Sequence, residues 1–267
     1  MSPVREAIAV TGPQLNSLAR IQVRVASGRI GWSGPLLLSI ARPVLWMAAQ
    51  CLVALLFLVL HHPSPWREAT YWWSVYCTAG DLGCLIGLRF YTRQEGTRLR
   101  DLIGPIRMHH GHDLFLGAGF FLLLIFFFMA GGYLSQQWFY GVSGVNPSAY
   151  ILHARALPAW AMVYSITLWW LVSSPTEEVT YQAFVLPRLQ ALTGRTWIAM
   201  SAVAFCWAAQ HCVFGFVPDA RSLACRFLGF LPGCLMSIAL YLRTRRLMPL
   251  ILAHWPMDIA AVWMTAF

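Results

Sequence analysis

Five ionisable side chains stand in apolar sequence in the C-terminal half of the chain: Glu177, Glu178, His211, His254 and Asp258. A charge at the centre of a membrane-spanning helix costs about 2.5–3.5 kcal/mol, so such groups mark function by default. The other histidines, His61, His62, His109, His110, His112 and His153, fall in linkers between apolar stretches. An adjacent acid pair, a His on the next span, and a His with an Asp on the last are together sufficient to activate water, with or without a bound metal. His254 and Asp258 lie one helical turn apart, and a carboxylate so placed orients an imidazole and raises its basicity. Structural alternatives stand beside this reading. His254 and Asp258 also suit a hydrogen-bonded pair, and His211, taken singly, suits a satisfied core residue. The stretch Ser174-Pro175-Thr176-Glu177 reads as a capping box with Pro at the first helical position, which predicts a new helix starting there. On that helix Glu177 precedes Tyr181 by one turn and Glu178 precedes Gln182, giving each carboxylate a polar neighbour.

The elements that must position these groups are membrane helices. The chain of 267 residues is 58% hydrophobic and only 11% charged, with a mean hydropathy of +0.60; a soluble domain carries about 25% charged residues. Stretches near the required length of about 20 residues are Pro35–Leu60, Ala69–Phe90, Leu114–Tyr140, Leu157–Val172, Trp197–Val213, Leu223–Leu242 and Leu247–Phe267, with Thr176–Leu192 less apolar. The expected fold is therefore an all-α, polytopic transmembrane bundle of about seven to eight spans. It divides into a basic N-terminal segment (1–33), N-terminal transmembrane helices with a basic linker (34–156), and a C-terminal core carrying the five groups (157–267).

All 19 basic residues are Arg, against 10 acidic ones, a net charge of +9. The absence of Lys excludes P-loop and Schiff-base lysine chemistry. The arginines cluster in the first 33 residues (Arg5, Arg20, Arg24, Arg29), between Tyr91 and Asp113 (Arg93, Arg98, Arg100, Arg107) and at Arg243, Arg245 and Arg246. These clusters alternate with Arg-poor linkers as the positive-inside rule requires for a cytoplasmic N-terminus, and a bacterial plasma membrane is the expected location. The charge thus reads as topology and lipid contact, not nucleic-acid binding. His109, His110, His112 and Asp113 could bind metal, but their Arg-rich setting favours anionic lipid. The basic N-terminal segment suits a surface-lying arm. Seven Cys without a CxxC argue for buried inert thiols.

Three segments carry a family likeness: Glu177-Glu178-Val179-Thr180-Tyr181-Gln182, Trp207-Ala208-Ala209-Gln210-His211 and His254-Trp255-Pro256-Met257-Asp258. They resemble, in order, the EExxxR, FxxxH and HxxxN/D motifs of the CPBP (ABI) family, the CAAX prenyl endopeptidases and bacteriocin-processing enzymes. The resemblance runs from about Leu157 to the C-terminus. It implies an intramembrane endopeptidase acting on membrane-associated proteins or peptides. Glu177 would be the general base and Glu178 its support, while His211 would hold water or a metal. His254 with Asp258 would complete the site or stabilise the oxyanion. Glu177, His211 and His254 match zinc in ligand type, although the HExxH of soluble zinc proteases is absent, and water activated by Glu alone is the other option. Two positions depart from the motifs. Trp207 replaces Phe and keeps a large ring one turn before His211. Gln182 replaces Arg and removes a cation one turn from Glu178, with no substitute on the same helix, since Arg188 lies beyond Pro187. The alternative that Gln182 raises is a proteolytically inactive family member with a binding or scaffolding role.

Other classes explain less. Gly31-Trp32-Ser33-Gly34 and Gly141-Val142-Ser143-Gly144 match the rhomboid tetrapeptide but lie at or outside span ends. Axial haem ligation by His211 and His254 leaves both glutamates unexplained, and a proton-coupled transporter lacks the expected repeat. Asp81, inside the second span, is expected to pair with Arg42 or Arg89. Counted from the cytoplasmic ends, His254 is shallow and His211 deeper, so tilt, a bend after Pro175 or a shifted boundary has to bring them level.

Overall fold

The computed structural model describes residues 15–103, 110–144, 146–147 and 157–266. Arg5, Arg107, His109, His153 and the side chain of His110 lie outside the described residues. Helices α1 (Leu18–Ala26), α2 (Ser33–Val59), α3 (Pro65–Tyr71), α4 (Trp73–Gln94), α5 (Arg100–Ile103) and α6 (His110–Tyr140) are followed by a continuous helix α7 over residues 159–193. Then come α8 (Thr196–Val213), α9 (Ala220–Thr244) and α10 (Met248–Ala266), with no strand among the described residues. The chain is an all-α bundle.

Among the described residues, four helices are long and apolar enough to cross a membrane: Ser33–Val59, Gly111–Tyr140, Thr196–Val213 and Ala220–Thr244. The other three predicted spans also form helices: α4, which carries Asp81, Arg89 and Arg93, then α7 and α10. The outer faces expose Leu55, Leu56, Leu58, Phe115, Leu122 and Phe126, side chains that suit lipid rather than water.

Small residues let backbones approach, as in membrane bundles generally. Gly131 of α6 meets the backbone of α9 so closely that an added Cβ would lie 2.3 Å from the Gly229 carbonyl oxygen. Gly80 of α4 makes room for the Trp46 ring, which an added Cβ would meet at 2.4 Å. Gly194, at φ +67°, ends α7 in the left-handed region and turns the chain into α8. At one end of the bundle Arg246 grips Asp113 at 2.6 Å, and Arg188 forms a two-pronged pair with Glu95, its Nε 2.6 Å from Oε1.

The predicted helix start at Ser174 is not observed. Helix α7 runs straight through Pro175, and the Ser174 hydroxyl, expected as a cap, instead donates to Asp258 Oδ2 at 2.6 Å. Proline inside a helix removes one hydrogen bond and crowds the preceding turn. Here the strain is absorbed by π-helical stretches on either side, Ser165–Trp169 and Val179–Val185. Threonine hydroxyls fold back on the same helix: Thr176 Oγ1 donates to the Val172 carbonyl and Thr180 Oγ1 to that of Thr176, both at 2.6 Å.

Candidate active site

All five sequence-predicted groups converge. Glu177 and Glu178 lie on α7, His211 near the end of α8, and His254 and Asp258 on α10. Glu177 is 4% and Glu178 1% exposed. The first motif lies at the junction of regular and π-helical turns, a feature common at functional sites.

Both oxygens of Glu177 are held. Oε1 accepts from the Trp207 indole N–H, and Oε2 from Arg42 Nη1. His211 Nε2 stands 4.0 Å and His254 Nε2 3.9 Å from the same Oε1. The ring of His211 is fixed by its Nδ1, 2.9 Å from the Trp207 carbonyl oxygen, and by stacking on Phe230 with ring centres 3.9 Å apart. Because a carbonyl oxygen only accepts, this bond assigns the proton to Nδ1 and leaves the Nε2 lone pair facing the carboxylate in the neutral ring. His254 Nδ1 lies 2.9 Å from Glu178 Oε1, and its Nε2 is 3.5 Å from Asp258 Oδ1. The pairing of His254 with Asp258 is therefore present, and Glu178 is a second carboxylate on the same ring.

Gln182 donates to Glu178 Oε2 at 2.6 Å and also contacts Ser237 Oγ at 2.8 Å. It satisfies the second glutamate as a neutral donor. Tyr181 does not hydrogen-bond Glu177; its ring stacks on Trp207, with centres 5.4 Å apart, and its buried hydroxyl has no hydrogen-bond partner among the described residues. A buried cation meets the first glutamate instead of the second. Arg42 of α2, with an exposure of 0%, donates through Nε to Asp81 Oδ1 at 2.8 Å as well as to Glu177. Asp81 thus pairs with Arg42, one of the two partners expected for it. The acid–histidine list drawn from the C-terminal half omitted Arg42. The available signal was the cost of an arginine within an apolar span.

A cavity of about 230 Å³ opens beside Glu177, His211, His254 and Asp258. Its remaining walls are mainly apolar and include Trp46, Trp169, Phe214, Met129, Met257 and Met264. Nitrogen and oxygen ligands about 2.0–2.1 Å from a tetrahedral zinc stand about 3.3 Å apart. The 3.9 and 4.0 Å separations exceed that, and among the described residues no three His, Cys, Asp or Glu side chains are grouped to hold a metal ion. They do suit a bridging water: two contacts of about 2.8 Å meeting near a right angle span about 4 Å.

Fold and site together define a helical membrane protein with a buried two-glutamate, two-histidine centre beside an apolar cavity. Residues 158–260 match the family model described as "Rce1-like: Type II CAAX prenyl endopeptidase Rce1-like". The matched segment contains all three motifs and is similar to that family over about two fifths of the chain. No curated protein and no solved structure matches the chain.

Proposed function

We propose that this protein is an intramembrane endopeptidase that hydrolyses a peptide bond of a membrane-associated protein or peptide with water activated by Glu177. The observation that carries this reading is the convergence of His211 Nε2 and His254 Nε2 on one oxygen of Glu177, at 4.0 and 3.9 Å. A water between His211 Nε2 and Glu177 Oε1 is held by two acceptors, and a carbonyl carbon approaching from the cavity meets its lone pair. Glu177 takes the proton as the C–O bond forms, then passes it to the departing amine nitrogen as the C–N bond breaks. His254, flanked by Glu178 and Asp258, faces the same space from the opposite helix and serves as the proton-bearing group that stabilises the oxyanion. Glu178 and Asp258 are positioning residues for that ring. No metal is required by this sequence of steps, and the donor spacing does not favour one.

Glu178 keeps a hydrogen-bond donor in Gln182 and the His254 ring beside it, and Glu177 has a cation in Arg42, which weighs against the inactive alternative. The basic end of the bundle, where Arg246 meets Asp113 and Arg188 meets Glu95, is assigned to the cytoplasmic side of a bacterial plasma membrane by the positive-inside rule.

The test compares new protein termini, quantitatively, in membranes containing the wild type or Glu177→Ala. Termini that depend on the intact glutamate are the expected result and name the substrates. Identical profiles from equal amounts of folded protein would overturn the reading.

A further inference from the structure

We propose that Arg42, on the first long apolar helix and outside the family-matched segment, is the positioning residue for the general base. Its guanidinium sets the plane and charge of the Glu177 carboxylate. The inference rests on the endopeptidase reading above.

The geometry distinguishes this from a merely structural ion pair. A buried guanidinium needs one carboxylate for neutrality, and Arg42 already has Asp81, 2.8 Å from Nε. Its other edge is nevertheless turned to the site. Nη1 donates to Glu177 Oε2 and, at 3.1 Å, to Gln210 Oε1, and Nη2 lies 3.3 Å from Ser173 Oγ. Behind it the Trp46 ring lies 4.5 Å from the guanidinium carbon, and Trp46 Nε1 is 3.3 Å from the same Asp81 oxygen. The fork is therefore locked by α2, α4, α7 and α8 at once.

A carboxylate turns freely about one bond. With Oε2 held by Arg42 and Oε1 by Trp207, that rotation is stopped where Oε1 faces both imidazoles. A lysine could supply the charge but not the planar fork that meets Asp81 and Glu177 together. No other described arginine is placed to take over: Arg188, the next on α7, is committed to Glu95.

The proposal is tested in the full-length protein with wild-type-dependent termini as the first readout and kinetics on a peptide spanning one of them as the second. The key variant is Arg42→Gln with Asp81→Asn, which removes the cation together with its second carboxylate, so that the net charge of the buried cluster is unchanged and Glu177 alone loses its charged partner. It is expected to fold, as judged by its melting transition, and to lose cleavage by about 100-fold, the scale for a reacting group displaced by an ångström. The loss falls on kcat with KM little changed, because Arg42 is not among the residues lining the cavity. The single variant Arg42→Ala is expected to regain cleavage on addition of guanidinium ion, but not of urea or sodium chloride at equal concentration. Wild-type kcat in the folded double variant would overturn the proposal, and so would failure of guanidinium to rescue folded Arg42→Ala. If Arg42→Ala does not fold, the double variant decides alone. Identical termini from wild type and Glu177→Ala would overturn the endopeptidase reading and this proposal with it, an outcome distinct from an active double variant.

Discussion

His254 hydrogen-bonds Glu178 through Nδ1 at 2.9 Å while its Nε2 stands 3.9 Å from Glu177. One imidazole thus links the two neighbouring glutamates of α7, and their roles divide accordingly. In the proposed mechanism Glu178 orients the ring, and Glu177 activates the water.

Replacing His211 or His254 by Ala is expected to abolish cleavage while the bundle stays folded. Both rings border the cavity rather than filling the densest part of the core. Rates on a peptide substrate, measured beside the melting temperature, check this. Full activity in both variants would refute the site.

Asp258→Ala is expected to cost about 10- to 100-fold in kcat, the range seen when an imidazole loses its orienting carboxylate. Asp258→Asn should cost less, since it still accepts from Ser174, whose hydroxyl is 2.6 Å away. Equal losses in the two variants would show that the charge of Asp258 matters rather than its hold on the helix.

Trp207→Phe brings the second motif to the family pattern, yet it is expected to impair this protein. It removes the N–H that Oε1 of Glu177 accepts from and opens space beside Tyr181. Leaving a buried acceptor short of a donor costs about 1–3 kcal/mol. A lowered melting temperature with reduced kcat is the expected pair of results.

Gln182→Arg, which completes the first motif, is also expected to be harmful. Gln182 is wholly buried between Glu178 and Ser237, and overfilling such a position costs about 1–3 kcal/mol. Thermal unfolding and cleavage both report it; unchanged values would show that the pocket can expand.

Glu95→Ala is expected to lower stability by about 3–5 kcal/mol by leaving the buried Arg188 guanidinium unpaired. Cleavage by the protein that remains folded should be near normal, because this pair lies apart from the residues around the cavity.

The helical class, the seven apolar stretches and the five ionisable groups were all legible in the sequence, because each rests on the cost of placing charge in lipid. The capping box was misread for a physical reason. The pattern Ser-x-x-Glu stabilises a helix start only where the preceding residues are not already helical, and here they are, with π turns accommodating Pro175. The partner of Glu177 was hidden by distance along the chain: Arg42 and Glu177 meet only when α2 packs against α7 and α8. Local logic read position 182 against Glu178 alone and could not show that another helix brings a cation to Glu177.

Helix α6 and helix α10 are tightly apposed at Gly117, where an added Cβ would meet Leu252 at 3.1 Å. Further along, Ile125, Phe128 and Met129 face Ala260, Ala261 and Met264 across the cavity, and Met129 and Met264 are themselves exposed on the apolar exterior. The cavity is thus bordered by both helices and by two methionines exposed on the apolar surface. On the endopeptidase reading proposed above, a substrate reaching the cavity from the lipid side diffuses in two dimensions, and its turnover follows its mole fraction among the lipids. Diluting the membrane with inert phospholipid should slow such an enzyme, whereas diluting the surrounding buffer should not.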